Sequence, residues 1–494
     1  MEEGKIMRDY IVTTIRPLLK SESCFRLIYI INLFLSSLCF LEQFSLTILP
    51  IIMVWSFYFL WKRFTSPSRI RNIRYHLILL LFLLSGVITA FLNYKDNLGN
   101  NLIMIYHAGI CFFLLYGAHS THAKEEQKHE MYEIFRILTI MINTIAFAGL
   151  LFLFIFVRID AFGYTVGLFD NRYTGFYTHP NIAAFVSVIG IIGSHMFSFK
   201  ENLSKEAHLP KWFCILGILL NLLTIWLADS NASFVYVCLY FFFYYIIFRK
   251  IGKEKKTLIF GLLLRSVIIL GVLVLGSYAL RMTSQNTVMN VLGTIHTVNS
   301  ENITENEDTS CMFPAITEEI EIGRRNQSDI SSGRLDSYKK ALLLLQFKPL
   351  FGMGKANIVP YGDTYLYEGF LFFDLHNGYL TILLSCGMIG FYLFAIFLIR
   401  LLQKAYYLLI NFSKISCEDQ KMLALFLSSL LGYGAYAMFE RTILFDLTFM
   451  VIIFWVLLGY FMSYAMTYED SREKKHILIK ELVNSLQKVK NFLL

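Results

Sequence analysis

The sequence predicts an all-α polytopic membrane protein of about twelve transmembrane helices. Three observations carry that reading. Apolar runs of about 20 residues recur along the chain, long enough at 1.5 Å per residue to cross a hydrocarbon core of about 30 Å. Of 494 residues, 56% are hydrophobic and only 16% charged, where soluble domains carry roughly a quarter charged. The basic residues also sort by loop: about 29 fall in one alternate set of connections, and about four (Lys95, Arg158, Arg172, Arg441) fall in the short loops of the other set. The positive-inside rule assigns the first set to the cytoplasm, so the net charge of +8 reports topology and not affinity for nucleic acid.

The elements follow in order. Residues 1–24 hold Lys5, Arg8, Arg16 and Lys20 and read as a cytoplasmic leader, without the small-residue cleavage pattern of a signal peptide. Spans at about 25–41 and 44–61 meet in a tight turn at Glu42 and Gln43, and KRFTSPSRIRNIR then marks the inner face. Spans at about 77–92 and 101–117 flank NYKDNLGN, and a fifth runs over about 135–157. RIDAFGYTVGLFDNRYTGFYTHPN is too polar and glycine-rich to span. The sixth span starts at Pro180, whose missing N–H is not needed in a first helical turn. DSNA joins spans seven (about 212–228) and eight (about 233–248), RKIGKEKK follows, and span nine covers about 258–280.

Residues 1–280 are therefore expected to form a membrane domain of spans one to nine, and 281–377 a large extracellular loop between helices 9 and 10. Residues 378–466 supply spans ten to twelve, and 467–494 an amphipathic tail on the cytoplasmic surface. The expected setting is the cytoplasmic membrane with both termini inside, and the loop outward.

Basic residues are scarce in the short outward loops, so each invites a choice of roles. Arg172 is either an interfacial anchor or an anion clamp beside the N-terminus of the sixth helix, whose free N–H groups favour negative charge. Arg334 opens an expected amphipathic helix whose Leu335, Tyr338, Leu342 and Leu345 share one face, capped by Ser331 or Ser332. A cation in a first turn opposes the helix dipole, so it answers either to Asp336 or to an anionic ligand. His376 precedes span ten and is either a capping residue or a general base, with Asp374 able to orient it or to act as base itself.

Several patterns are missing. The chain has no G-x-x-x-x-G-K-S/T loop and no H-E-x-x-H, and no outward loop carries D-x-D, so nothing points to nucleotide hydrolysis, a zinc site or a metal-bound nucleotide sugar. The eight cysteines form no C-x-x-C pair, and only Cys311 lies in the long loop. No cofactor is expected. Outward Tyr173, Phe176, Tyr177, Tyr361, Tyr365 and Tyr367 read either as interface-belt aromatics or as platforms for sugars.

Three segments in order carry a resemblance. NRYTGFYTHPN is similar to an R-x-x-G-(x)4-P-N signature, SSGRLDSYKKALLLLQFKPLFGMGKAN to an S-G-R…P-L-x-G-x-G segment, and LHNGYLTILLSCGMIGFYLF to an H-N-x-(Y/F)-L…G-x-x-G segment. Together they resemble the O-antigen ligase and O-antigen polymerase family. Asn231 stands where the family often has an arginine, and His179 where asparagine is commoner.

The resemblance implies a metal-independent glycosyltransferase of C-type membrane architecture. Its donor would be an undecaprenyl-pyrophosphate-linked oligosaccharide, its acceptor a glycan, and its surroundings membrane lipid, with a flippase and a chain-length regulator as candidate partners. Carried over, Arg172 and Arg334 contact the pyrophosphate and His376 stands near the acceptor or leaving group. Gly175, Asn181, Tyr338 and Asn377 fall in the same motifs and are expected to line the substrate. The composition, low in Pro and rich in Ile, Phe, Tyr, Lys and Asn, suggests an AT-rich genome of a bacterium without an outer membrane. A family ligase acts on a lipid A core, so within the resemblance this favours a polymerase of capsular or exopolysaccharide repeat units. A ligase that passes the glycan to another acceptor and a lipid-linked oligosaccharide flippase are the alternatives.

Overall fold

With no water to satisfy backbone polar groups, an apolar run in hydrocarbon closes its hydrogen bonds within itself, and each expected span is helical. The structure is a computed structural model that describes residues 16–121, 124–161, 163–199, 208–250, 259–304, 322–323, 334–366 and 375–468. Nearly all of the expected cytoplasmic tail, and Asp374, lie outside the described residues.

The helices are α1 (Glu22–Leu35), α2 (Glu42–Phe64), α3 (His76–Leu92), α4 (Leu98–Ile110, running on through a π-turn and a 3₁₀ turn to Ser120) and α5 (Lys124–Phe156). A small sheet follows, β1 (Arg158–Ala161), β2 (Tyr164–Phe169) and β3 (Arg172–Gly175). Then come α6 (Pro180–Ser198), α7 (Lys211–Leu227), α8 (Asn231–Lys250), α9 (Ile259–Thr304), α10 (Arg334–Leu345), α11 (Ile358–Tyr365), α12 (Gly378–Ile410), α13 (Cys417–Tyr436) and α14 (Phe449–Thr467).

Among the described residues, eight helices are long and apolar enough to cross a membrane: α2, α4 with its continuation, α5, α6, α8, α9, α12 and α14. The other expected spans are less complete. α3 and α7 are shorter apolar helices, α1 has 14 residues, and α13 opens on Glu418 and Asp419. The fold is thus a helical membrane bundle, with α14 almost wholly buried at its centre and α9 on its periphery. Apolar side chains at helical spacing on α2 (Ile51, Val54, Phe57, Trp61) point outward, an arrangement that suits lipid and that a soluble surface of this extent would not carry.

Two regions differ from expectation. The polar, glycine-rich stretch after α5 is an antiparallel three-stranded sheet in the order β1-β2-β3. Asp170 and Asn171, both at positive φ, supply the tight turn that hairpin twist favours. The ninth helix also does not stop near residue 280 but runs 46 residues to Thr304, about 70 Å. Val288 and Leu292, inside the expected loop, pack with Leu150, Leu153, Val157, Leu168, Tyr173, Leu227 and Ile322 in a second small core. That burial extends the helix past the point where its apolar content thins.

Loops expected on one side meet at one end of the bundle. Tyr177 bridges Leu38 in the α1–α2 turn, Arg172 reaches the α7–α8 turn, and Asn97 donates to Asn357 in the long connection. At the other end Arg63 pairs with Glu22 at 2.8 Å, and Asp419 with Lys124 and Lys128 at 3.3 and 3.5 Å.

The chain between α10 and α11 enters the bundle and docks on a break in α12. At Gly387 the backbone leaves helical geometry (φ 63°, ψ −168°). Its neighbours pair with the incoming loop: Met388 and Ile389 N–H donate to Pro349 and Leu350 carbonyls at 2.8 and 3.1 Å, and Met353 and Gly354 N–H donate to Leu384 and Ser385 carbonyls at 2.9 and 3.0 Å. A Cβ on Gly387 would lie 2.4 Å from the Leu350 carbonyl, and one on Gly352 (φ 72°) 2.5 Å from Gly387 N. Backbone strain and overpacking each cost about 1–3 kcal/mol, so Gly352→Ala and Gly387→Ala are each expected to destabilise by roughly 2–6 kcal/mol. A lowered melting temperature in detergent measures this, with Gly99→Ala, which meets no neighbouring atom, as the control.

Candidate functional site

The three sequence segments converge on a residue that none of them contains. Glu440 lies in the turn after α13, its carboxylate only 7% exposed. It accepts from Asn181 Nδ2 at 3.0 Å, faces Arg334 Nη2 at 3.3 Å and His376 Nδ1 at 3.1 Å. Burying a carboxylate costs several kcal/mol unless cations and donors surround it, and here each of the three segments supplies one.

Each partner is held by its own local structure. Arg172, at the start of β3, is 3% exposed. Its Nε donates to the Ala228 carbonyl at 2.9 Å and its Nη2 to Asn181 Oδ1 at 2.6 Å. Asn181 therefore relays Arg172 to Glu440. Pro180 opens α6, and His179 Nδ1 accepts from Asn181 N–H at 3.1 Å as the helix cap. Gly175 sits at φ 57°, where a Cβ would lie 2.6 Å from the Tyr173 hydroxyl, so its role in this structure is to let the strand turn.

Arg334 is the first residue of α10 as expected; its guanidinium lies 5.9 Å from the Phe439 ring centroid, a cation–π distance. The Ser331 and Ser332 cap lies outside the described residues. Leu335 and Leu342, on the face expected to lie on the outer membrane surface, are exposed, while the opposite side packs inward: Ala341 and Leu344 are buried against Met353, Ile358, Leu375 and Leu384. The loop docked on α12 covers that inward side. Tyr338 donates to the Met438 carbonyl at 2.7 Å and lies 3.3 Å from that of His376. Burial raises its hydroxyl above the ordinary tyrosine value, which keeps it a neutral donor.

His376 has φ 42°, a conformation uncommon outside glycine and asparagine, and its side chain is 39% exposed. Asn377 caps α12, accepting from Tyr379 and Leu380 N–H at 3.0 Å each. The Gly378 N–H donates to the Ala437 carbonyl at 2.8 Å, tying the start of α12 to the turn that carries Glu440. Asn377 and Gly175 thus act here on the backbone; Asn181, Tyr338, Arg334 and His376 hold the polar cluster.

The arrangement has two chemical consequences. A carboxylate at Nδ1 favours the tautomer with the proton on that nitrogen and leaves Nε2 as a proton acceptor, the logic of a carboxylate–histidine pair. Two guanidinium groups and one carboxylate also leave a net positive charge suited to an anion. Among the described residues no group of three or more His, Cys, Asp or Glu side chains lies close enough to hold a metal ion.

The fold and the cluster define a helical membrane protein with a cationic, histidine-bearing site at one end, and comparison adds to that. Residues 216–395 match the family described as O-Antigen ligase, and that match supports an assignment to the O-antigen ligase/polymerase family, whose members are enzymes that transfer glycans. The matched stretch includes Arg334 and His376 and ends before Glu440; Arg172 precedes it. No curated protein matches the chain.

Glu440 carried no motif and was missed by sequence reasoning. Glu440→Gln, which keeps the shape and removes the charge, is expected to lower glycan transfer about 10–100-fold, the usual cost of losing a residue that orients a reacting group. Assay of transfer beside a melting curve checks it; lost activity with a melting temperature near that of the parent is the expected pair of results.

Proposed function

We propose that the protein is a polymerase that joins undecaprenyl-pyrophosphate-linked oligosaccharide repeat units into capsular polysaccharide or exopolysaccharide at the outer face of the cytoplasmic membrane. The observation that carries this reading is the convergence of Arg172, Asn181, Arg334 and His376 on Glu440. The topology proposed with it has twelve spans, both termini inside and the Glu440 end outward; the contacts among the loops at that end support it.

In the proposed reaction the donor pyrophosphate lies against Arg334, which is 24% exposed. Arg172, buried behind Asn181, contributes its charge and fixes that amide. An acceptor sugar hydroxyl attacks the anomeric carbon with inversion, the bond to the pyrophosphate oxygen breaks, and undecaprenyl pyrophosphate leaves. His376 Nε2 takes the hydroxyl proton while Glu440 steadies the imidazolium that forms. Guanidinium charge stabilises the leaving group without a metal ion. Asp374 falls outside the described residues, and its assignment as a base or orienting group remains part of the proposal, as does the role of Tyr338 and Asn377 along the substrate path. A flippase that delivers repeat units and a regulator of chain length are the proposed partners.

Removing Arg334 or His376 by alanine is expected to cost about 2–4 kcal/mol of transition-state stabilisation, roughly 30–1000-fold in rate, and Arg172→Ala a similar amount. The assay is purified protein with lipid-pyrophosphate repeat units, scored for a polymer ladder. A normal ladder from His376→Ala removes that residue from the mechanism. Transfer of single units to a different acceptor makes the protein a ligase, and passage of units across the bilayer with no new bond makes it a carrier.

A further inference from the structure

Arg281 lies where the expected extracellular loop begins, but it belongs to the middle of α9 and points back at the site. It forms a close ion pair with Asp229, donates from Nη1 to Asn231 Oδ1 at 2.9 Å and lies 6.0 Å from the Phe234 ring centroid. One turn further along α9, Gln285 donates to the Trp226 carbonyl at 2.8 Å. Val288 and Leu292 then pack against Leu227 and Tyr173. A single face of α9 thus grips residues 226–231, the turn between α7 and α8.

That turn holds Arg172. The Ala228 carbonyl accepts from Arg172 Nε at 2.9 Å, and the next residue, Asp229, sits at φ 53°. Aspartate takes positive φ more readily than most non-glycine residues, and a left-handed residue commonly follows a helix C-cap such as Ala228; the conformation persists where its surroundings hold it. Here the surroundings are the Arg281 guanidinium on the Asp229 carboxylate, both residues being less than a tenth exposed. Loss of the ion pair would free Asp229 to relax toward negative φ, and that rotation turns the neighbouring peptide and with it the carbonyl that aims Arg172.

We infer that the Asp229–Arg281 pair is a positioning device for the donor site: α9 holds the 228–231 turn in its left-handed form so that Arg172, through Asn181, keeps its register on Glu440. The inference rests on the proposed role of Arg172 in pyrophosphate binding. Arg281 is a positioning residue and touches no substrate.

A double-mutant cycle tests it, with initial transfer rates and the KM for a lipid-pyrophosphate donor measured for the full-length protein in detergent. Arg281→Ala is expected to raise donor KM about tenfold in the parent, with kcat changed less, and to add under twofold in an Arg172→Ala background, because an effect routed through Arg172 has nothing further to remove. Arg281→Lys, which keeps the charge but not the fork to Asn231, is expected to recover most of the loss. Direct binding of undecaprenyl pyrophosphate to each variant gives a second readout that does not depend on turnover, and size-exclusion profiles identify any variant that fails to fold; where Arg281→Ala does, Asp229→Asn, which removes the other charge of the pair, carries the cycle with the same expected outcome. Equal losses in both backgrounds, or a fall in kcat at unchanged KM, overturn the inference while leaving the donor reading intact. If Arg172→Ala itself transfers and binds like the parent, the donor reading of Arg172 falls and this inference with it.

Discussion

The polar end of the bundle depends on one buried carboxylate. Glu440 sits 7% exposed between α13 and α14, where an unpaired charge would cost several kcal/mol. Its partners come from β3 and α6 by way of Asn181, from α10 and from the start of α12. These elements are far apart in sequence, and besides their packing on one another they share this one carboxylate. The demand that each donor meet the same two oxygens ties their positions together. The pairing with His376 also runs both ways, since the imidazole helps to satisfy the carboxylate and the carboxylate chooses the imidazole tautomer.

A second constraint lets that convergence happen. The chain between α10 and α11 has to anchor the long connection that ends at His376 on the start of α12. It does so by pairing its backbone with the two turns on either side of Gly387. Irregular backbone within a membrane bundle is tolerated where it is buried in protein and fully hydrogen-bonded, and the glycines at 352 and 387 make the approach close enough for that. The break in α12 is therefore the seat on which the far side of the site is built.

How much of this was legible in the sequence depended on range. The helical spans announce themselves by composition, and Arg334, His376 and Asn181 sit in short segments whose local pattern is visible, so their residue types and helix-terminal positions were readable. Glu440 was not, because its place is defined by a tertiary path: the FER tripeptide around it has neither periodicity nor partner spacing. The hairpin did leave signals, the Asp170–Asn171 turn and the alternation of β2, but the segment's glycines and polarity hid them. The continuation of α9 to Thr304 rests on Val288 and Leu292 meeting Leu150, Leu153 and Leu168, contacts that a window of hydropathy along α9 does not contain. The inward face of α10, Ala341 and Leu344, was not legible for the same reason, since the docked loop is what covers it.

Glu440 also bears on how the proposed reaction could turn over. Two guanidinium groups without a carboxylate would hold a pyrophosphate tightly, and in the proposed reaction the product, undecaprenyl pyrophosphate, carries more negative charge than the diester donor. A site that bound both equally well would gain nothing for the chemical step and would release product slowly. With Glu440 in place part of the cationic charge is already engaged when the site is empty, so the clamp is ordered in advance and its grip on the bare anion is weakened. The developing charge of the leaving group and of the His376 imidazolium appear together in the transition state, one facing Arg334 and the other Glu440. The cluster is thereby matched to that pair of charges better than to either substrate or product alone, which is what a transferase of lipid-linked glycans would require of it.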